Sequence, residues 1–180
     1  MTSTEQTALR LSNLRFAWPG AEPLIRVGLF ELRAGERVFL AGPSGSGKST
    51  LLGLLAGTLQ PQEGEVLIAG QAVSRLSSRQ RDQARADHIG VIFQQFNLLP
   101  FLSVLDNVTL ACRFSKRRSA RAASRDGDIE SSARRLLGEL GLPTETWARP
   151  ASSLSVGQQQ RVAAARALIG APELILADEP

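Results

Sequence analysis

The alternation of apolar and polar positions predicts the first strands of the chain. Residues 8–18, ALRLSNLRFAW, alternate as a strand with one buried face does. The stretch 27–42, VGLFELRAGERVFLAG, predicts two strands joined by a tight turn at Ala34-Gly35. Residues 65–70, EVLIAG, predict another strand after a proline and a glycine.

Later in the chain, strands and helices alternate. The apolar runs HIGVIFQ (88–94) and ELILAD (173–178) predict buried strands. Helices are predicted over 51–59, 104–112, 129–142 and 155–170, and the polar stretch 74–87 is either a short exposed helix or irregular. Gly141 is expected to end the third of these helices and Ser155 to cap the fourth. This order predicts an α/β fold with a largely parallel core sheet.

Composition limits the class of protein. The 180 residues are 43% hydrophobic and 21% charged, as in a globular domain, and no apolar run approaches the roughly 18–20 residues that a membrane span needs. The N-terminus has no apolar signal segment, and the one cysteine, Cys112, excludes an internal disulfide. We therefore expect a cytosolic chain.

The net charge is +4, and six basic residues fall in the stretch 113–125, RFSKRRSARAASR. We expect this stretch to be a solvated surface loop or an irregular helix end. The alternative is contact with an anionic headgroup or with the acidic face of a partner. Phe114 is the only aromatic residue among the basic ones, so nucleic-acid recognition by base stacking is not expected.

Residues 42–50 match the phosphate-loop pattern G-x-x-x-x-G-K-[ST] between a predicted strand and a predicted helix. The glycines let backbone N–H groups turn toward one anion, and the following helix presents its positive end to it. Lys48 supplies a cation to the β- and γ-phosphates, and Ser49 can ligate Mg²⁺. The candidate ATP-binding residues here are Gly42, Pro43, Ser44, Gly45, Ser46, Gly47, Lys48, Ser49 and Thr50.

A magnesium nucleotide needs a second anchor, commonly a carboxylate at the end of a buried strand. Asp178 follows LILA and is the candidate metal ligand. The adjacent Glu179 could accept a proton from an attacking water and is the candidate catalytic base. The alternative is that both carboxylates are a solvated strand-to-loop transition.

The stretch 154–168, LSVGQQQRVAAARAL, resembles the signature sequence of the ATP-binding-cassette (ABC) ATPases, and with the phosphate loop and LILADE it covers nearly the whole chain in the order of that family. The resemblance implies a P-loop NTPase core with a mostly parallel sheet, an N-terminal antiparallel β subdomain and an inserted helical subdomain. It places the core and β subdomain at 1–96 and 156–180, and the helical subdomain at 97–155.

The resemblance also implies roles for further residues. Gln94, or less readily Gln95, matches the family glutamine that reaches the metal and the attacking water, so it joins Glu179 as catalytic and Ser49 and Asp178 as metal-binding. Trp18 matches an aromatic that stacks on adenine, with Phe16 as the competing candidate and a turn aromatic packed on the sheet as the alternative reading. Ser155, Gly157 and Gln158 would cap the γ-phosphate of a nucleotide bound to a second subunit; Val156 replaces a glycine common in the signature.

The implied assembly is a head-to-tail pair of ABC ATPase subunits, a homodimer on the simplest reading, that sandwiches two ATP and their Mg²⁺ ions. Such a pair moves separate transmembrane permease subunits from the cytoplasmic face of the membrane, and the segment 97–112 is where a permease docks. The sequence of residues 89–108 resembles sequences of the subgroup for lipoprotein release and macrolide-type or peptide export. No nucleic-acid partner is expected.

The family continues beyond the acidic strand with a loop aspartate and a further strand that ends in a histidine. His88 lies elsewhere, and we expect it to be a solvated strand-edge residue. We therefore expect the sequence to be a piece of a longer ATPase, truncated at its C-terminal side. The alternatives are a non-catalytic nucleotide-binding remnant and, less favoured, a soluble ABC ATPase acting on nucleic acid.

Overall fold

A computed structural model describes residues 7–178. The chain forms two compact units, one reaching to His88 and the other beginning at Ile89. The predicted helical subdomain, 97–155, lies entirely in the second unit. In the described part of the chain, no helix has both the length and the hydropathy to cross a bilayer.

The first unit is built on an antiparallel sheet of four strands in the order β2-β1-β3-β4. Its strands are β1 (Thr7–Phe16), β2 (Ile25–Arg33), β3 (Glu63–Ile68) and β4 (Gln71–Ala72). The predicted turn at Ala34-Gly35 is present, with Gly35 at a φ of 85°. The prediction of an N-terminal antiparallel β subdomain is therefore confirmed.

A bulge in β1 keeps the apolar side chains on one face. Leu9 and Leu11 are buried, and strict alternation would place Asn13 in the core next. Instead, Leu14 and Phe16 are the next buried residues. The pairing with β3 shifts between Ser12 and Arg15, and Asn13 has a φ of 49°. The extra residue reverses the alternation, so both halves of the strand contribute to the core.

The strand predicted immediately before the phosphate loop is not found. Residues 36–42 have no regular secondary structure, and no strand among residues 7–178 pairs with them. Phe39 is 91% exposed, and Val38 and Leu40 are exposed as well. The segment has the apolar pattern of a strand, but a strand is defined by hydrogen bonds to a neighbouring strand. Among the described residues, no strand forms such bonds with residues 36–42.

The helices of the first unit are α1 (Lys48–Leu55), which follows the phosphate loop, and α2 (Ser78–His88). The polar stretch 74–87 thus contains the predicted exposed helix. His88 is the last residue of α2 and not part of a strand, because the next strand begins at Ile89. The prediction of a strand-edge histidine is wrong.

The second unit packs four helices and a pair of parallel strands. The strands are β5 (Ile89–Ile92) and β6 (Leu174–Ala177), and the helices are α3 (Val104–Arg113), α4 (Lys116–Asp126), α5 (Ile129–Glu139) and α6 (Val156–Leu168). The helices share one core, whose members include Val104, Val108, Leu137, Val162 and Ile169. Leu142 N–H donates to Leu137 O and Gly141 N–H to Gly138 O, so Gly141 ends α5 in a Schellman motif, as predicted.

The basic stretch 113–125 is a regular helix in most of its length and not a loop or an irregular end. Arg118 on α4 is only 3% exposed. Its guanidinium donates to Ile169 O at 2.8 Å, Ala167 O at 2.9 Å and Arg166 O at 3.0 Å. These carbonyls lie at the C-terminal end of α6, where helix carbonyls lack partners and a cation is favoured. Arg118 is therefore buried at this helix end, although the sequence analysis predicted a solvated side chain.

Replacing Gly90 by alanine tests the contact between β5 and α6. A Cβ atom at Gly90 would lie 2.2 Å from Ala167 O, a backbone atom that cannot move aside alone. We expect Gly90→Ala to lower the free energy of unfolding by about 2 kcal/mol, because overpacking costs about 1–3 kcal/mol. Urea unfolding followed by circular dichroism measures the change.

Gly138→Ala is the matched control. Gly138 lies in α5, and an added Cβ there meets no atom within 4 Å. This substitution should raise stability by about 0.5–1 kcal/mol, since alanine favours the helix. Equal effects of the two substitutions would contradict the predicted contact.

Candidate functional site

The phosphate loop is shaped by a turn that its sequence requires. Ser46 N–H donates to Pro43 O at 3.2 Å, and Gly45, the third residue of this turn, has a φ of +78°. A β-turn with positive φ at that position is of the kind that favours glycine. A Cβ atom on Gly42 would lie 2.7 Å from Ser46 Oγ, so the loop also closes tightly on its first residue.

Gly47 joins the loop to helix α1. It is the N-cap residue of α1 and has a φ of +94°. A Cβ atom there would lie 2.9 Å from Ile25 Cδ1 and 3.2 Å from Leu24 Cγ. Both its conformation and its packing against the start of β2 therefore require glycine.

The Lys48 side chain folds back over the loop. Its Nζ donates to Gly42 O at 2.8 Å and to Pro43 O at 3.0 Å. The ammonium group thus lies at the mouth of the loop, next to the N-terminal end of α1. Ser49 is exposed and Thr50 is partly exposed in the first turn of this helix. Residues 42–50 thus contain a turn followed by the start of α1, with the Lys48 ammonium bound to two loop carbonyls.

Of the two candidate aromatics, Trp18 is the accessible one. Trp18 is 47% exposed, whereas Phe16 is 6% exposed and belongs to the core of the sheet. The rings meet edge to face with centroids 5.2 Å apart. Trp18 lies in the loop between β1 and β2, the same connection that supplies Leu24 behind the phosphate loop. Trp18 is therefore the candidate whose ring has surface accessible to a ligand.

The predicted glutamine follows the strand β5. Gln94 and Gln95 form a turn directly after it, and both are exposed. Phe96 N–H closes this turn on Phe93 O at 2.9 Å. Burial alone does not choose between the two glutamines, so Gln94 keeps its priority from the resemblance.

Asp178 lies beside this turn because of the strand pairing. Ile92 and Ala177 are partners in the parallel register, and Asp178 N–H donates to Ile92 O at 3.0 Å. Parallel strands end at the same edge, so Gln94 and Asp178 both follow the carboxyl ends of adjacent strands. Glu179 lies outside the described residues.

The signature sequence begins a well-capped helix. Ser155 Oγ accepts from Gln158 N–H and Gln158 Oε1 accepts from Ser155 N–H at 3.0 Å, which completes a capping box. Gly157 has open space around it, and the Val156 side chain is 70% exposed. The N-terminal end of α6 therefore presents backbone and small polar groups to solvent, with one apolar side chain among them.

The predicted docking segment, 97–112, has a rigid base and an exposed apolar tip. Asn107 is fully buried, and its side-chain amide accepts from Leu99 N–H at 2.8 Å and donates to Leu99 O and Ser103 O at 3.0 Å. These bonds hold the loop before α3. Phe101 within that loop is 74% exposed.

Two arginines near these elements were not anticipated. Arg166 on α6 donates to the backbone of Phe96 and Asn97, and Arg118 binds the end of the same helix. Their signal in the sequence is weak, because an arginine that binds backbone carbonyls needs no acidic residue at a fixed spacing. Burial lowers the pKa of Arg166 below that of a solvated guanidinium, although the group stays protonated.

The chemistry of the phosphate loop fits a nucleotide polyphosphate. A Cβ atom at Gly45 would meet no atom within 4 Å, and Lys48 provides a cation at the loop. The candidate metal ligands are a hydroxyl, an amide oxygen and a carboxylate, at Ser49, Gln94 and Asp178. Oxygen donors of this kind suit Mg²⁺.

Comparison with known proteins agrees with this assignment. The ABC transporter family profile matches residues 28–180. The lipoprotein-releasing system ATP-binding protein LolD of Paramagnetospirillum magneticum is 41% identical over 175 residues, which cover 96% of this chain and 74% of LolD. The macrolide export ATP-binding/permease protein MacB of Photorhabdus laumondii is also 41% identical over 175 residues, covering 96% of this chain but only 26% of MacB.

Solved structures give the same result. A bacterial ABC transporter cassette, MJ0796, solved as a dimer, superposes with a TM-score of 0.79 at 37% identity and covers 94% of this chain and 73% of its own. The same cassette in a dimeric post-hydrolysis state bound to ADP and Pi gives a TM-score of 0.77 at 36% identity. The chain therefore belongs to the ABC transporter family, as the ABC ATPase domain that binds ATP.

Proposed function

We propose that this chain binds MgATP and hydrolyses it to drive separate membrane subunits. The observation that carries the proposal is the phosphate loop, in which left-handed glycines and the folded-back Lys48 frame the N-terminal end of α1. On binding, the Lys48 ammonium would exchange its two carbonyl partners for phosphate oxygens. The α1 N-terminus and loop N–H groups add further positive potential.

The carboxyl ends of β5 and β6 would supply the remaining groups for hydrolysis. Asp178, Gln94 and Ser49 are the residues that would hold Mg²⁺, which supplies charge neutralisation of the phosphates. Gln94 would orient the attacking water by a hydrogen bond. Glu179 would accept a proton from that water as the general base.

The capped end of α6 would serve a second copy of the chain. Ser155, Gly157 and Gln158 lie at an exposed helix N-terminus, which suits a γ-phosphate presented from outside. A head-to-tail homodimer would place this end against the phosphate loop of the partner. The dimeric state of the MJ0796 cassette supports this arrangement.

We assign the adenine to Trp18, because its exposed ring belongs to the loop that also packs behind Gly47. Base–aromatic stacking is worth about 1–3 kcal/mol. Phe16 cannot offer a free face from within the core. Residues 97–155 would act as the helical subdomain, and the core and β subdomain would occupy 1–96 and 156–180.

The membrane partner would dock on the segment 97–112. Its tip carries the exposed Phe101, and the buried Asn107 holds its base rigid. The partner would be a transmembrane permease, with this chain peripheral on the cytoplasmic face. The names of the LolD and MacB relatives point to lipoprotein release or export as the transport process.

Replacing Lys48 tests the phosphate loop. We expect Lys48→Ala to weaken MgATP binding by about a hundred-fold, since a charge-assisted bond contributes about 1.5–3 kcal/mol and Lys48 would make more than one. Glu179→Gln should bind MgATP as the parent does but not hydrolyse it. Isothermal titration calorimetry gives both affinities, and a phosphate-release assay gives turnover.

Lys116→Ala is the control for this experiment. Lys116 is the other lysine of the chain and is exposed at the start of α4, so its removal should leave binding unchanged. If Lys48→Ala bound MgATP as tightly as Lys116→Ala, the phosphate-loop assignment would fail.

Tryptophan fluorescence tests the adenine contact. The chain has two tryptophans, so Trp147→Phe leaves Trp18 as the one indole. We expect ATP to quench that emission, and Trp18→Ala to weaken binding at least about five-fold through lost stacking. A Trp18→Phe variant, which keeps Trp147, should show no quenching. Unchanged Trp18 emission together with unchanged affinity of Trp18→Ala would instead favour a turn residue packed on the sheet.

A further inference from the structure

Helix α6 contacts the glutamine turn through one side chain. Arg166 Nη1 donates to Asn97 O at 2.6 Å, and Nη2 donates to Phe96 O at 2.5 Å. The two N–H groups of the guanidinium fork thus bind consecutive backbone carbonyls. These carbonyls lie two and three residues after Gln94, and one and two residues after Gln95.

The residues that Arg166 holds are in an unfavourable conformation. Phe96 has a φ of 58° and Asn97 a φ of 49°, so two consecutive residues other than glycine are left-handed. Positive φ is unfavourable for a residue with a side chain, and more so for the bulky Phe96 than for Asn97. A strained loop persists only where its surroundings hold it, and Arg166 supplies two short hydrogen bonds to it.

Arg166 makes no ion pair in the described part of the chain; its guanidinium bonds are those to the two carbonyls. The side chain is mostly shielded from water by the protein, and burial lowers its pKa. Burying part of a cation is costly unless hydrogen bonds compensate, and here the two carbonyls supply those bonds. The planar fork of arginine fits this pair of acceptors in a way that lysine does not.

Helix α6 is anchored at its C-terminal end. Arg118 holds its C-terminal carbonyls, and Gly90 allows strand β5 to approach Ala167 O closely. Arg166 lies eleven residues after Ser155, about 16 Å along a helix that rises 1.5 Å per residue. Because α6 is one continuous helix, Ser155 and Arg166 keep a fixed separation along it.

We propose that Arg166 is a positioning residue that couples the signature helix to Gln94. It fixes the left-handed turn in the geometry that aims Gln94 at the water and metal of the same chain. Because Ser155 and Arg166 belong to the same helix, α6 links the geometry of this turn to the contact that Ser155 would make with the nucleotide of a second copy. This inference rests on the proposed ATPase function and adds a residue to which the phosphate loop and signature motifs give no role.

Steady-state kinetics on the full chain tests the coupling. We expect Arg166→Met to lower kcat at least about ten-fold with the KM for ATP within about two-fold, because a misplaced catalytic group affects the reaction more than substrate binding. Arg166→Lys should recover part of kcat. Arg161→Met is the control, since Arg161 on the same helix also donates to a backbone carbonyl, Gly141 O at 3.0 Å, away from the turn.

A double-mutant cycle separates positioning from a general structural effect. If Arg166 acts through Gln94, the double variant Arg166→Met/Gln94→Ala should be no slower than Gln94→Ala alone. A kcat for Arg166→Met near that of Arg161→Met, or losses that multiply in the double variant, would overturn the proposal. If Arg166→Met does not fold, the cycle is repeated with Arg166→Lys. The loss of kcat caused by Arg166→Lys must then disappear in the Gln94→Ala background.

Amide hydrogen exchange distinguishes failure of this inference from failure of the proposed function. Without nucleotide, Arg166→Met should speed exchange across residues 93–97 relative to Arg161→Met, because the turn loses its support. Absence of Lys48-dependent turnover in the parent would reject the ATPase function and the coupling to catalysis. Unchanged exchange with normal parent turnover would reject Arg166 alone.

Discussion

The second unit depends on how the C-terminal carbonyls of α6 are satisfied. A helix leaves its last carbonyls without partners, and here the buried guanidinium of Arg118 binds those of Arg166, Ala167 and Ile169. This bond fixes α4 against α6, and the close approach at Gly90 fixes β5 against the same end. With that end held, the other end of α6 presents Ser155 and Gly157 in a defined position. The signature sequence thus lies at the N-terminal end of a helix whose C-terminal end is held by Arg118 and β5.

The phosphate loop follows a different principle, because its shape is dictated locally. Positive φ angles at Gly45 and Gly47 and the return of Lys48 to the loop carbonyls involve neighbours in sequence. Only the contact of Gly47 with Leu24 and Ile25 reaches further. Local determination explains why a nine-residue pattern identifies the loop in a sequence, whereas the environment of Arg118 or Arg166 cannot be read from any window.

The same distinction explains which predictions hold. The Ser155 cap, the Gly141 helix end and the alternation in β1 arise from residues close in sequence, and each is found where the pattern places it. The bulge at Asn13 was missed because it depends on pairing with Gly64 in another strand. The segment 36–42 has the composition of a strand, yet pairing needs a neighbour that composition does not supply. The basic residues of α4 looked solvated because their acceptors are carbonyls and a distant carboxylate, Glu173.

In the proposed dimer, each catalytic site takes its phosphate loop from one copy of the chain and its signature from the other. Complementation tests it directly with Lys48→Ala and Gly157→Asp, the second of which adds a carboxylate in open space at the start of α6 and repels phosphate. Each variant alone should be inactive in ATP hydrolysis. An equal, exchanged mixture should recover about a quarter of the parent turnover, since half of the dimers then contain one intact site. A mixture that forms mixed dimers but stays inactive would contradict the account.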